Sequence, residues 1–319
     1  MEINKILVIR NDRIGDLVFA SCVFRELRKK YPNARIVAGV SKSNKALVEK
    51  NPDIDKTIVA DFGRDFLKNF KKNLPALREI KKENFDVGID LRGDIITAFF
   101  LMFSTGIKYR IGFNRGLWAK ILYNYTQKRD TTKHECFNML DIVNKGLGLD
   151  FKNYMPEIKV SEEDKEEADK FISKNKLKKF ICISPEAKSD LRQWPLEDFD
   201  KIIKHLRKVH PKQKIILVGI DEDKINWLAE RNPGVIKLIK ANLRMVYVLF
   251  QKSSLVVSLD TGTTHIAWPG NSKLITIFMK VGELALEHTK PLGENSVGIV
   301  GGGKKVEPWK VIEAIERFL

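Results

Sequence analysis

Short β-branched runs alternate with longer amphipathic stretches along the whole chain. Lys5–Arg10 (KILVIR) reads as a strand. Asp16–Tyr31 reads as a helix, with Leu17, Ala20, Val23, Phe24 and Leu27 at helical spacing and Pro32 just beyond its end. The strand-like runs ARIVAGV (34–40), KTIVAD (56–61) and FDVGIDL (85–91) follow, with helical patterns between them. Pro75 predicts a break or kink in the helical stretch 65–83. A helix is predicted over 94–104, then the strand YRIGF (109–113).

The second half repeats the rhythm. Strands are predicted at 179–184, 214–220, 235–239, 254–260 and 273–279, and helices at 196–209, 222–231, 243–252 and 307–318. The charged segment 161–176 reads as an early helix of this half. Several strands are continuous apolar runs, as in parallel sheets covered on both faces. Strand–helix alternation in two rounds predicts an α/β protein of two doubly wound domains facing across a cleft. The domains are set at 1–155 and 156–319, with the terminal helix 307–318 expected to pack back towards the first. In such sheets ligands sit beyond the carboxyl ends of the strands, so the residues after each strand are the candidates for chemistry.

Charge narrows the partners. Of 319 residues, 43% are apolar and 31% charged, a globular balance, and the net charge is +16. Such an excess suits nucleic acid, an anionic membrane surface or a phosphorylated substrate. It is uneven: residues 1–155 hold 29 Lys/Arg against 18 Asp/Glu, a net of +11. The longest apolar run, Ile95–Phe103, is interrupted only by Thr97 and falls short of the ~20 residues that span a bilayer. No signal-peptide pattern opens the chain, and Cys22, Cys136 and Cys182 are too far apart to read as a disulfide or zinc framework. A cytoplasmic location is the expectation.

Four strand ends carry candidate residues. After the first comes NDRIGD (11–16), in which Gly15 permits a tight turn and Asp16 either caps the following helix or faces the cleft as a general base. After FDVGIDL, Arg92 is either an anion ligand or a partner of Asp90 or Asp94. After KFICIS, Lys188 and Arg192 either clamp a diphosphate or belong to a solvated loop, and Trp194-Pro195 enters the next helix. After SLVVSLD comes Asp260-Thr261-Gly262-Thr263-Thr264-His265, a turn into a helix whose amides and hydroxyls suit either an anion or ordinary capping. The stretch 108–133 mixes Lys108, Arg110, Arg115, Lys120, Lys128, Arg129 and Lys133 with aromatics, a pattern for nucleic acid or for a phosphorylated lipid.

Order and spacing say more than any one motif. ILVIRNDRIGDLVFASCVFRELRKKYPNARI (6–36), DLRGDIITAFFLMFSTGIKYRIGFNR (90–115), HECFNMLDIVNKGLGL (134–149), the LRQWP stretch and LVVSLDTGTTHIA (255–267) together resemble the lipopolysaccharide heptosyltransferase family, glycosyltransferase family 9. The resemblance implies a GT-B fold of two Rossmann-like domains, the first holding the acceptor and the second an ADP-activated heptose. It places Asp16 on the catalytic carboxylate and Arg192 on the basic residue that meets the diphosphate. Asp260, Thr261, Gly262, Thr263 and His265 fall on the donor loop, Lys188 and Glu222 on further donor contacts, and Ala241-Asn242 near the adenine. Arg13, Arg92, Arg110, Arg115 and Lys133 are assigned to the acceptor. After His265 the chain departs from the family pattern, reading Ala267-Trp268-Pro269-Gly270-Asn271-Ser272-Lys273, and the next strand ends IFMK (277–280).

The function expected from this resemblance is inverting transfer of heptose from ADP-heptose to an anionic lipopolysaccharide inner-core acceptor, with no metal or other cofactor. The enzyme would sit peripherally on the cytoplasmic face of the inner membrane and bind no nucleic acid. Alternatives are a relative using another nucleotide sugar or a protein acceptor, and a nucleotide-sugar-binding protein without catalysis.

Overall fold

The computed structural model describes residues 2–61, 66–270, 272–279, 283–301 and 305–319. Asn271 and Lys280, two of the departures noted above, lie outside them. The chain divides into two compact units, Met1–Lys159 and Val160–Leu319.

The first unit is built on β1 (Lys5–Ile9), β2 (Arg35–Val40), β3 (Lys56–Val59), β4 (Val87–Asp90), β5 (Tyr109–Phe113) and β6 (Tyr125–Gln127). These form one parallel sheet in the order β3-β2-β1-β4-β5-β6. The second unit uses β7 (Phe180–Ser184), β8 (Lys214–Gly219), β9 (Ile236–Ile239), β10 (Leu255–Leu259), β11 (Leu274–Phe278) and β12 (Ser296–Val300). Its sheet is also parallel, in the order β12-β11-β10-β7-β8-β9. Numbered within each unit, both sheets read 3-2-1-4-5-6, the doubly wound order of a Rossmann domain. The fold is therefore two Rossmann-like domains, each with its reversal point between its first and fourth strands. There Ile9 lies beside Asp90 in one sheet and Ser184 beside Ser258 in the other.

The strands are fully buried where the sequence is continuously apolar: β1 residues Ile6–Ile9 and β10 residues Leu255–Leu259 are shielded from solvent. In the first unit, helix Phe66–Glu83, a π-helical segment Thr97–Phe103 and the short helix Ala119–Leu122 share a core with Leu7, Ile9 and Val37. Helix Ile14–Lys30 packs with helix Glu135–Leu147. In the second unit, Trp194 anchors the core through Phe199 and donates its indole N–H to the Val306 carbonyl at 2.9 Å.

Several details depart from expectation. Segment 94–104 is not an α-helix: Thr97–Phe103 closes i→i+5 hydrogen bonds at its end, with the Ser104 amide donating to the Phe99 carbonyl at 2.8 Å. Helix Phe66–Glu83 passes through Pro75 without a break. The edge strands β6 and β12 were not foreseen: β6 is three residues long and only half buried, and β12 exposes Val297. The terminal helix Pro308–Phe318, expected to pack back towards the first domain, is built into the second, where Val311 and Ile315 join its core. Its Glu316 lies 2.9 Å from His205 and 3.0 Å from His210.

Candidate functional site

In a doubly wound sheet the two strands at the reversal point send their chains to opposite sides, opening a crevice beyond their carboxyl ends. In the first unit that point is furnished by charge. Arg10 follows β1 and is 2% exposed. Its Nε is 3.0 Å from Asp12 Oδ1 and its Nη2 2.7 Å from Asp16 Oδ1. Its Nη1 donates to the Leu91 carbonyl and stands 3.8 Å from Glu135 Oε1. Burial disfavours this cation, but Asp16, Asp12 and Glu135 outweigh it and raise the Arg10 pKa. One guanidinium thus forks between two carboxylates four residues apart.

Asp16 is the third residue of helix Ile14–Lys30, where the helix dipole favours a carboxylate. It is not the cap: Arg13 holds that position, with its side chain making no capping bond. The Asp12 carboxyl is pushed up, by burial first and then by Asp16. Arg129 supplies a second, half-buried cation. Its Nη1 lies 3.1 Å from Glu135, its Nη2 donates to Leu91 at 2.7 Å, and its guanidinium sits 4.3 Å over the Phe113 ring. Burial lowers its pKa to about 10.

At the end of β4, Asp90 is wholly buried and its carboxyl is raised to about 6 by that burial. It accepts from the Tyr123 hydroxyl at 2.6 Å and from the amides of Arg92 and Gly93 at 2.9 and 2.8 Å. Gly93 has φ +69°, and a Cβ there would meet Phe113 at 2.8 Å, so the turn requires glycine. The Arg92 side chain pairs with Asp94 and donates to Asn11 at 3.1 Å, which ties the β4 loop to the β1 loop.

The remaining acceptor candidates scatter. Arg13 and Arg115 are exposed beyond β1 and β5, and Lys133, after β6, pairs with Asp141 at 2.7 Å. Arg110 is a correction. It is the second residue of β5, at the opposite end of the strand from the crevice. There its side chain donates to the Leu122 and Ile107 carbonyls at 2.6 Å each and lies over Phe103. A cation occupied in this way braces a loop.

The second unit furnishes its reversal point with hydroxyls. After β10, Thr264 Oγ1 donates to the Leu259 carbonyl at 2.7 Å, and the Thr263 hydroxyl meets Thr261 at 2.8 Å and Ser258 at 3.1 Å. The amides opening the short helix Gly262–Ala267 have no carbonyl one turn earlier to bond. Arg192, closing a 3₁₀ turn after β7, donates to the Asp260 carbonyl at 3.1 Å and carboxylate at 3.4 Å. His265 is buried, with Nε2 3.8 Å from the Asp260 carboxylate. Lys188 stands exposed in the β7 loop. The structure thus brings Arg192, Asp260, Thr261, Thr263 and His265 into one cluster. Glu222 lies apart from it, half-exposed and paired with Lys240 at 2.6 Å, which lowers its pKa. Asn242 caps helix Leu243–Lys252 after β9.

Arg10, Glu135 and Glu186 escaped the sequence reading, which took Arg129 only as one cation of the basic stretch 108–133. Arg10 looks like the last residue of a strand, and its partner Glu135 is remote in the chain. Glu186, two residues after β7, accepts from the amides of Ile220 and Asp221 at 2.6 and 2.8 Å, locking the β7 and β8 loops together. A Cβ on Gly219 would stand 2.7 Å from that carboxylate. Among the described residues no cluster of three or more His, Cys, Asp or Glu is placed to hold a metal ion. A surface depression lined by Lys56, Arg78, Glu79, Lys82 and Glu83 lies near the amino end of β3, away from both crevices.

Known proteins resemble this chain in family and fold. The family described as Glycosyltransferase family 9 (heptosyltransferase) matches residues 75–315. A curated relative from Haemophilus influenzae, lipopolysaccharide core heptosyltransferase OpsX, is 23% identical over 85% of this chain and 78% of its own length. A glycosyl transferase family 9 protein of Veillonella parvula superposes with a TM-score of 0.86 at 17% identity, over 100% of this chain and 98% of that one. The E. coli heptosyltransferase WaaC with ADP superposes at 0.79 and 18% identity, over 99% and 100%.

Proposed function

This chain belongs to glycosyltransferase family 9, the heptosyltransferase family, and on that premise we propose that it moves a heptose from ADP-heptose to an anionic lipopolysaccharide inner-core acceptor. The family match across residues 75–315 carries the reading. The relative named as a core heptosyltransferase and the ADP complex of the E. coli enzyme support the acceptor and the donor nucleotide. Asp16 precedes the matched residues, so its role rests on its place beyond β1.

In the proposed scheme Asp16 accepts the proton of an acceptor hydroxyl. That oxygen forms the new bond to the anomeric carbon as the bond to the diphosphate oxygen breaks, with inversion, and ADP leaves with the electron pair. The transition state has oxocarbenium character, as in glycoside hydrolysis. The carboxylate is fixed by the buried Arg10 guanidinium at 2.7 Å and by its place in the first turn of a helix, so its contribution is position. Negative charge growing on the diphosphate meets Arg192, Lys188 and the amides and hydroxyls of 261–264, with Asp260 and His265 orienting that loop. Glu222 is assigned to the ribose hydroxyls. Arg13, Arg92, Arg115 and Lys133 meet acceptor phosphates. No metal takes part in this scheme. No helix of the described residues is long and apolar enough to cross a membrane, and we place the enzyme peripherally on the cytoplasmic face of the inner membrane.

The alternative is transfer of another sugar from its nucleotide: the chain departs from the family pattern after His265, and Trp268 in that stretch is buried, its indole N–H donating to the Leu292 carbonyl at 2.7 Å. The deciding experiment is release of nucleoside diphosphate from a panel of nucleotide sugars, with and without core acceptor. Acceptor-dependent release from ADP-heptose supports the reading. Release only from another sugar changes the donor, and no release from any of them overturns transfer.

A further inference from the structure

Exposed apolar surface is concentrated in one place. Twelve large apolar side chains are exposed among the described residues, and five of them come from residues 95–121: Ile95, Phe99, Phe103, Leu117 and Ile121. Leu117 and Ile121 are the most exposed of all, at 84% and 73%. The two segments that carry them pack on each other. Ala98, Leu101 and Met102 of the π-helical segment, and Ala119 and Leu122 of the short helix, face the core, which leaves the five on the outer side. The Phe99 and Phe103 rings stack there, 6.1 Å apart. Isolated exposed apolar residues are ordinary, but a cluster of this kind marks an interface.

Charge says what it faces. Residues 95–129 contain six Lys and Arg and no Asp or Glu. Arg110 and Arg129 are engaged internally and exposed Lys108 pairs with Asp86, while Arg115, Lys120 and Lys128 are exposed. Helix Phe66–Glu83, joined to the π-helical segment through Phe70 and Phe100, adds exposed Lys71 and Lys72. A second copy of the chain would be a poor partner, because a two-fold contact sets these cations against themselves.

We propose that the surface formed by 95–103 and 115–121 docks on an anionic lipid bilayer. The five apolar side chains would enter the headgroup boundary, and Lys120 and Lys128 would meet lipid phosphates. This rests on the reading of a membrane-borne acceptor, and it assigns the membrane contact to residues outside the transfer chemistry. Both segments follow the carboxyl ends of β4 and β5, so docking would bring that edge of the first domain, where Arg92 and Arg115 stand, close to the lipid surface.

The test is flotation of the full chain with vesicles, without acceptor. The wild type should float with vesicles of phosphatidylcholine and phosphatidylglycerol, and far less with phosphatidylcholine alone. The double variant Leu117→Glu/Ile121→Glu should lose on the order of tenfold or more in partition, and Lys120→Gln about fivefold. Both should keep the wild-type melting temperature and unchanged transfer to a delipidated core saccharide. Equal flotation of wild type and double variant, or no flotation of the wild type, overturns the proposal. So does a wild-type dimer that the double variant dissolves in light scattering, since the patch is then a self-interface. Absent transfer to the saccharide with flotation as expected would overturn the transferase reading and leave the docking surface standing.

Discussion

The two domains share one strand order and differ in what they set at its reversal point. The first buries Arg10 and Glu135 in a network with half-buried Arg129, Asp12 and Asp16. The second sets neutral hydroxyls of Ser258, Thr261, Thr263 and Thr264 around a single Arg192–Asp260 pair. Buried charge fixes a protonation state and a geometry, which suits a group that must hold and move a proton. Hydroxyls and free amides meet an anion without a fixed countercharge of their own, which suits a diphosphate that binds and leaves. On the proposed reading, the same scaffold supports two chemistries through side chains alone.

The largest expected effect tests the charged side. Asp16→Ala should lower turnover by about 10²–10⁴, the range for a general base, with ADP affinity in calorimetry unchanged because the proposed nucleotide site lies in the other domain. Near-normal turnover would remove the division of labour. Next, Arg10→Met should cost about 3–5 kcal/mol in urea denaturation, because the guanidinium that pairs Asp12 and Asp16 is lost and Glu135 keeps Arg129 alone. A cost under about 1 kcal/mol would mean that the network does not hold the first domain together.

A third prediction concerns pH. The Asp90 carboxyl is raised to about 6 in the folded chain, above the ordinary value near 4. It binds its proton more tightly when folded, so its contribution is complete below about pH 4 and is lost as pH rises through about 6. Asp90→Asn should remove a pH-dependent change on the order of 3 kcal/mol across that window when urea midpoints of the two proteins are compared. Parallel curves would show that Asp90 is not the group responsible. The smallest effect is on the neutral side: Arg192→Ala should weaken ADP about tenfold, a modest figure because its side chain is 38% exposed and water screens it. A loss as large as that for Arg10 would erase the contrast between the domains.

Much of the fold was legible from the chain. The ten strands read from apolar runs are all present, because a strand buried on both faces must be apolar throughout. β6 and β12 were missed because edge strands carry no such run: Tyr125–Gln127 is half-buried, and Ser296–Val300 includes exposed Val297 and Gly298. The candidate site was legible where its residues follow a strand. Asp16 and the 260–265 turn follow strand ends directly, and the structure sets both at reversal points.

Arg110 shows the limit of that approach. It lies beside a strand in sequence, but which end of the strand it occupies depends on where β5 starts, and at that end its cation bonds two loop carbonyls. The sequence by itself determined the alternation of elements, the parallel sheets, the uneven charge and the residues placed just beyond each strand, because periodicity and apolar runs are local properties. Only the tertiary structure decided which of those residues meet. Arg10 finds Glu135 because β1 lies next to β4 and helix Ile14–Lys30 packs on helix Glu135–Leu147. The exposed face of 95–121 exists because Ala98, Leu101, Ala119 and Leu122 are drawn into the core on the other side. Both outcomes depend on contacts between segments distant in the chain, which no local pattern encodes.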